Sequence, residues 1–194
     1  MKSSANTNVA DQDGDIINLP LIQENHRLRA RVAELERLAL RDSLTPLYNR
    51  RHFIDVLDRW IWRAHRYDHQ GAVFFVDVDQ LKTVNDQYGH DFGDQLLLVV
   101  ANRLQSCVRR SDIAARIGGD EFGLLLENIT IGQLESKALK ISKSIAKKPV
   151  EYLGQNLDVS VSVGYAIIES GVSAAEMLRR ADQSMYEAKA GKRG

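Results

Sequence analysis

The chain has a single cysteine, Cys107, in 194 residues. That excludes an internal disulfide framework and a cysteine-rich zinc site, and reads as a small helix residue in a reducing cytosol. Long apolar runs are missing too. No stretch approaches the roughly 18 to 20 residues that a membrane span needs, and the opening MKSSANTNVADQDGD lacks the apolar centre of a secretory leader. Neither sign of charge is in excess, because 26 lysines and arginines balance 26 aspartates and glutamates. No global field draws the chain to nucleic acid or to an anionic membrane, so any anionic ligand has to be held by a local site. These absences predict a soluble, cytoplasmic protein with neither a nucleic-acid nor a membrane partner.

What is present suits one globular domain with an appendage: 44% of the residues are hydrophobic, enough for a sizeable core. Residues 1–18 are polar and aperiodic, which predicts a disordered tail. Residues 19–41 carry a seven-residue repeat, with Leu21, Leu28 and Leu35 at one seam position and Asn25, Val32 and Ala39 at the other. Leucine at d with a polar residue at one a position favours a parallel two-stranded coil. In that register Glu24 would face Arg29 of a second copy, and Arg31 would face Glu36. The alternative is one amphipathic helix packed on its own domain, since fewer than three heptads are short for a free coil.

Residues 42–194 then read as the globular domain, for which the resemblance given below implies catalysis. Thr45 and Pro46 fit the cap and first position of a helix whose apolar face holds Phe53, Leu57, Trp60, Ile61 and Ala64. Ala72 to Val78 is a buried strand by composition. A polar connection with a short helical piece follows, then a helix with Leu97, Val100, Ala101, Leu104 and Val108 inside. Next come the hairpin ARIGGDEFGLLL, a helix near Ile131 to Lys147, a polar hairpin around Gly154, an alternating strand DVSVSVGYAII and a last helix from Ala174 to Ala190. The expected fold class is α+β: a single central sheet covered by helices, with both acidic sites at strand ends on one edge.

Those acids need an explanation. Asp77 and Asp79 close one strand, and Asp120 and Glu121 sit side by side at a hairpin tip, where a neutral Asn-Gly would turn the chain at lower cost. If the two strands are neighbours, Asp77 and Asp120 can converge on one divalent cation. Mg²⁺ is the natural choice, because it takes oxygen ligands and leaves room for phosphate. Gly118 and Gly119 would let a phosphate or base lie against the backbone. A solvated acidic turn is the plainer reading of either site alone.

Four motifs together resemble the GGDEF diguanylate cyclases. The pentapeptide is literal at Gly118 to Phe122. DSLTPLYNRR, Asp42 to Arg51, is similar to the family's DxLTxLxNRR. Phe75 to Asp94 resembles its second long motif, and ADQSMYEAK, Ala181 to Lys189, its closing helix. The resemblance implies that Asp77, the carbonyl of Val78 and Asp120 hold Mg²⁺ or Mn²⁺, two ions per active site, with Glu121 as a further metal acid or a base. It implies that Asn85 and Asp94 read guanine, with His90 beside them as a ligand contact or a packing residue. Lys82 and Lys189 match phosphate-binding lysines that stabilise charge during transfer. The reaction implied joins two GTP into cyclic di-GMP and releases two pyrophosphates. Each domain holds one GTP, so a homodimer through residues 21–39 would bring two together.

Arg109 and Asp112, in RRSD, stand where the family has an inhibitory RxxD site for cyclic di-GMP; arginine offers a planar fork and aspartate a guanine acceptor. The chain departs from the family at its end, reading EAKAGKRG where AKxxGR is usual. Either Lys192 or Arg193 could complete the phosphate site. Two rival readings are a silent cyclic di-GMP receptor and a coiled-coil adaptor in which GTP is structural.

Overall fold

The computed structural model describes residues 8–10, 16–67 and 70–191. The chain divides into two compact units, Met1–Ala39 and Leu40–Gly194. In the first, β1 (Asn8–Ala10) and β2 (Ile16–Asn18) pair antiparallel, with Val9 opposite Ile17. An unstructured tail was the expectation there; residues 1–7 and 11–15 lie outside the described residues. Helix α1 (Leu19–Leu40) follows. Its heptad leucines face water, with Leu21 67%, Leu28 55% and Leu35 51% exposed. Glu24 makes an exposed pair with Arg27 of the same helix at 3.6 Å, a contact worth little on its own.

The second unit runs α2 (Arg50–Tyr67), β3 (Gly71–Val78), α3 (Leu81–Tyr88), α4 (His90–Cys107), β4 (Ile113–Arg116), β5 (Glu121–Glu127), α5 (Leu134–Ile145), β6 (Val150–Tyr152), β7 (Gln155–Leu157), β8 (Val161–Ile167) and α6 (Ala174–Gly191). This is the element order that the sequence predicts. The central sheet has the order β4-β5-β3-β8, and every pairing in it is antiparallel. The acids stand at one end of the sheet on its two inner strands, β3 and β5, rather than on an outer strand.

Strand β3 is buried on both faces, which is why it reads as a continuous apolar run. Ala72, Phe74, Val76 and Val78 pack with Leu97, Val100 and Leu104 of α4 and Ile141 of α5. Val73 and Phe75 pack with Phe53 and Leu57 of α2 and Met177 and Ala181 of α6. Alternation then assigns the next odd residue, Asp77, to the α2/α6 face.

Two local features differ from, or go beyond, the sequence reading. Helix α2 begins at Arg50, not after Thr45. Thr45 is buried at 4% exposure, and its hydroxyl and amide both donate to Asp42 Oδ1, each at 2.8 Å. The working cap is Asn49, whose Oδ1 accepts from the His52 amide at 2.9 Å. Residues 42–49 are needed elsewhere: the Tyr48 amide donates to Ala114 O and the Arg116 amide to Tyr48 O, which lays this loop along β4. The second feature is Gly164 of β8. A Cβ there would lie 2.1 Å from the Met185 amide nitrogen and 2.3 Å from the Ala181 carbonyl, so the backbone of α6 rests directly on the strand.

Candidate active site

Cross-strand register builds the site. Asp77 is opposite Glu121 on β5 and opposite Ser162 on β8, so the three side chains share one face. The Val78 amide donates to Asp120 O at 3.0 Å, which fastens the hairpin tip to the end of β3. Lys189, near the end of α6, donates to Asp77 Oδ1. Burial pushes the Asp77 carboxyl above the ordinary range; the Lys189 hydrogen bond and charge work against this, and Asp120 and Asp79 add to it. Burial also pushes Glu121 up, reinforced by Asp120, Asp77 and Asp182, with Arg50 opposing. In both, burial leads and the neighbouring acids add to it.

The hairpin is braced from behind by a residue that the motif reading passed over. Arg116 donates from Nη2 to Gly119 O at 2.7 Å and from Nε to the same oxygen at 3.2 Å. Its Nη1 reaches Asp42 Oδ1 at 3.4 Å. Burial raises the Asp42 carboxyl, but hydrogen bonds from Thr45 and the charge of Arg116 outweigh it and hold Asp42 below the ordinary range. Arg116 was legible only as one more strand residue; its partner lies 74 positions away. Gly119 has open space around it, whereas a Cβ on Gly118 would meet Glu121 Oε2 at 2.3 Å. One glycine therefore leaves room for a ligand, and the other for the acid.

Among the described residues no group of three or more histidine, cysteine or acidic side chains is set to hold a metal ion. Asp77, Asp120 and Glu121 stand near one another without closing around one point, so a metal would take one or two of these carboxylates and a main-chain oxygen. Such a set fits Mg²⁺ or Mn²⁺, which bind through one or two carboxylates and complete their shell with water and substrate phosphate.

The residues expected to read guanine lie on α3 and α4. Asn85 Oδ1 is buried and has no hydrogen-bond partner, a costly state for an acceptor that a ligand donor would relieve. Gly93 creates its berth: a Cβ there would sit 1.8 Å from Asn85 Oδ1. Asp94 and His90, on the first turns of α4, and Lys82, on the first turn of α3, are exposed. Lys192 and Arg193 lie outside the described residues.

Arg109 and Asp112 border a separate cavity of about 280 Å³ that also takes in Gln133, Lys137 and Lys140. Asp112 is committed to the main chain, its Oδ2 accepting from the Arg109 amide at 2.8 Å and its Oδ1 from the Glu127 amide at 3.1 Å. Arg109 is exposed. The two lysines escaped the motif reading; their spacing of three on α5 was the available signal.

With this geometry in hand, the family model described as "Diguanylate cyclase, GGDEF domain" matches residues 39–194. The chain belongs to the GGDEF family. Signaling protein YkoW of Bacillus subtilis is 42% identical over 159 residues, covering 80% of this chain and 20% of that protein. Diguanylate cyclase TpbB of Pseudomonas aeruginosa is 38% identical over 173 residues, covering 87% of this chain and 39% of the relative. This GGDEF chain thus spans well under half the length of these curated relatives. Among solved structures, the coiled coil and GGDEF domain of DgcB from Caulobacter crescentus in complex with c-di-GMP superimposes with a TM-score of 0.80 at 29% identity, covering 89% of this chain and 92% of that one.

Proposed function

We propose that this chain is a diguanylate cyclase that condenses two GTP into cyclic di-GMP. The observation that carries the reading is the acid row on two inner strands: Asp77 and Glu121 face one another, and both are raised by burial and by the charge of Asp120. Such repulsion costs stability unless a cation relieves it. Asp77, Asp120 and the Val78 carbonyl would hold Mg²⁺ or Mn²⁺, two ions per site. When bound, the ions lower the pKa of the attacking hydroxyl and stabilise the leaving pyrophosphate.

The protein's own groups do the rest. Asn85 and Asp94 hold the guanine edge, with Asn85 Oδ1 accepting from a ring or amino hydrogen. His90 flanks them at the start of α4. Lys82 and Lys189 take phosphate charge, Lys189 turning from Asp77, and Lys192 or Arg193 adds a further cation. Glu121, raised by its surroundings, accepts the proton of the 3′-hydroxyl. The two transfers are reciprocal: in each, the 3′-oxygen of one nucleotide bonds to the α-phosphorus of the other, and that phosphorus loses its bond to pyrophosphate. Two pyrophosphates leave.

One domain carries one GTP in this reading, so the exposed leucines of α1 pair two copies through residues 21–39 and raise their local concentration. Arg109 and Asp112 bind the product and inhibit turnover. The site of action is the cytoplasm, where GTP is abundant; among the described residues no helix is long and apolar enough to cross a membrane. The test is incubation with GTP and Mg²⁺, with cyclic di-GMP and pyrophosphate measured across a protein dilution series. Wild type should form one cyclic di-GMP per two pyrophosphates with constant specific activity. The Leu28→Lys/Leu35→Lys variant, with charges buried in the seam, should sediment as a monomer and lose specific activity on dilution. No product from wild type would overturn the enzyme reading, and a dimeric double variant would overturn the stalk.

A further inference from the structure

Asp79 looks in the sequence like a second strand acid beside Asp77, but its carboxylate is turned to the other neighbour. Its Oδ2 accepts from the Ser160 hydroxyl and its Oδ1 from the Ser162 hydroxyl, both at 2.7 Å. The Asp79 amide donates to Ser160 O at 3.0 Å. Ser162 is fully buried. The chain then leaves the sheet through Gln80, which takes a left-handed conformation with φ 61°, a strained choice for a residue with a Cβ. Three hydrogen bonds thus pin residue 79 to Ser160, just before β8, and to Ser162 within it, where the backbone turns sharply.

That anchorage acts on the neighbouring peptide. The Asp79 N–H and the Val78 C=O belong to one planar trans unit and point in opposite directions. Since the N–H is directed at β8, the Val78 carbonyl is directed to the β5 side, where Asp120 lies and where the Val78 amide itself donates to Asp120 O. We infer that Asp79 is a positioning residue which, through Ser160 and Ser162, fixes the Val78–Asp79 peptide plane so that the Val78 oxygen faces the cation held by Asp77 and Asp120. The inference rests on the metal reading above. Asp79 itself is no ligand, as both of its oxygens serve the serine hydroxyls.

The experiment is Mn²⁺ binding, followed by the paramagnetic signal of the free ion, on full-length protein with 3′-deoxy-GTP, which lacks the attacking hydroxyl. Asp79→Ala frees the peptide plane and should weaken Mn²⁺ by about 10- to 100-fold, the usual effect of losing an orienting partner. Asp79→Asn should stay within about threefold of wild type, because an amide can accept from one serine and donate to the other. Should Asp79→Ala fail to fold, the Ser160→Ala/Ser162→Ala variant removes the same two side-chain bonds and should weaken Mn²⁺ likewise. Asp79→Asn as weak as Asp79→Ala would make Asp79 a ligand and overturn the inference. So would wild-type binding by Asp79→Ala or the double serine variant, provided Asp120→Asn binds weakly. If Asp120→Asn binds like wild type, the metal reading itself falls, and the positioning role with it.

Discussion

The two candidate sites of this domain are built in opposite ways. At the end of β3 and β5 the carboxylates crowd one another: Asp77, although it accepts from Lys189, and Glu121 are both raised by burial and by neighbouring acids, and a buried Asn85 oxygen accepts nothing. At the RxxD corner the carboxylate is satisfied by the chain itself, Asp112 accepting from the Arg109 and Glu127 amides. The first arrangement is costly as it stands and would be relieved by a cation and a guanine donor. The second is a stable turn first, and its ligand would be met by the outward Arg109 and by Lys137 and Lys140 across the cavity. Motif acids can thus be crowded at one site and serve as scaffolding at the other.

Asp120→Asn is the hardest blow to this contrast. It removes a carboxylate charge, the one proposed to hold the cation, at a half-buried tip where little packing is lost, so turnover should fall by about 100-fold or more while the folded chain melts no earlier than wild type. A variant that loses stability in step with activity would put Asp120 in the same class as Asp112. The RxxD corner should respond the other way round. Asp112→Ala leaves two amides without their acceptor and should cost about 1 to 2 kcal/mol in denaturant unfolding. Arg109→Ala should stay within about 0.5 kcal/mol, keep its initial rate, and straighten the progress curve as product accumulates. If progress curves of Arg109→Ala and wild type bend equally, the corner is structural only.

The smallest effect is on pH dependence. The folded chain binds protons at Asp77 and Glu121 more tightly than the unfolded chain, whose carboxyls titrate near the ordinary 3.8 and 4.5. That contribution to stability is fully present below those values and is lost as pH rises through the raised ones. Without divalent ions, Glu121→Gln should therefore gain on wild type as pH moves from about 4 to about 7.5, by some tenths of a kcal/mol after solvent screening. Mg²⁺ should erase much of that gain. A melting-temperature difference that stays flat with pH would show that Glu121 is not under strain.

Much of this domain was legible locally. The apolar run at Ala72 to Val78 and the hairpin at Gly118 to Phe122 fall within a residue of β3 and of the turn into β5, because composition and glycine placement act over a few residues. What escaped depends on distant partners. Thr45 resembled a helix cap, yet the loop it belongs to is spent on β4 through Tyr48. Asp77 and Asp79 share a parity, and parity alone could not show that one meets Lys189 of α6, 112 residues on, while the other turns to Ser160 and Ser162. Arg116 was unremarked because Asp42 and Gly119 become its neighbours only after folding.

The contact at Gly164 has a consequence for mutation. Every codon other than glycine's own adds the Cβ that the α6 backbone excludes, since that atom would lie 2.1 Å from the Met185 nitrogen. Lys189 follows Met185 by one turn, roughly 6 Å along the helix axis. A displacement of the α6 backbone at the strand would be carried along the helix to the lysine and would shift its ammonium relative to Asp77. Drift at this position is therefore closed by geometry alone, and a glycine of β8 sets the reach of the lysine that meets Asp77.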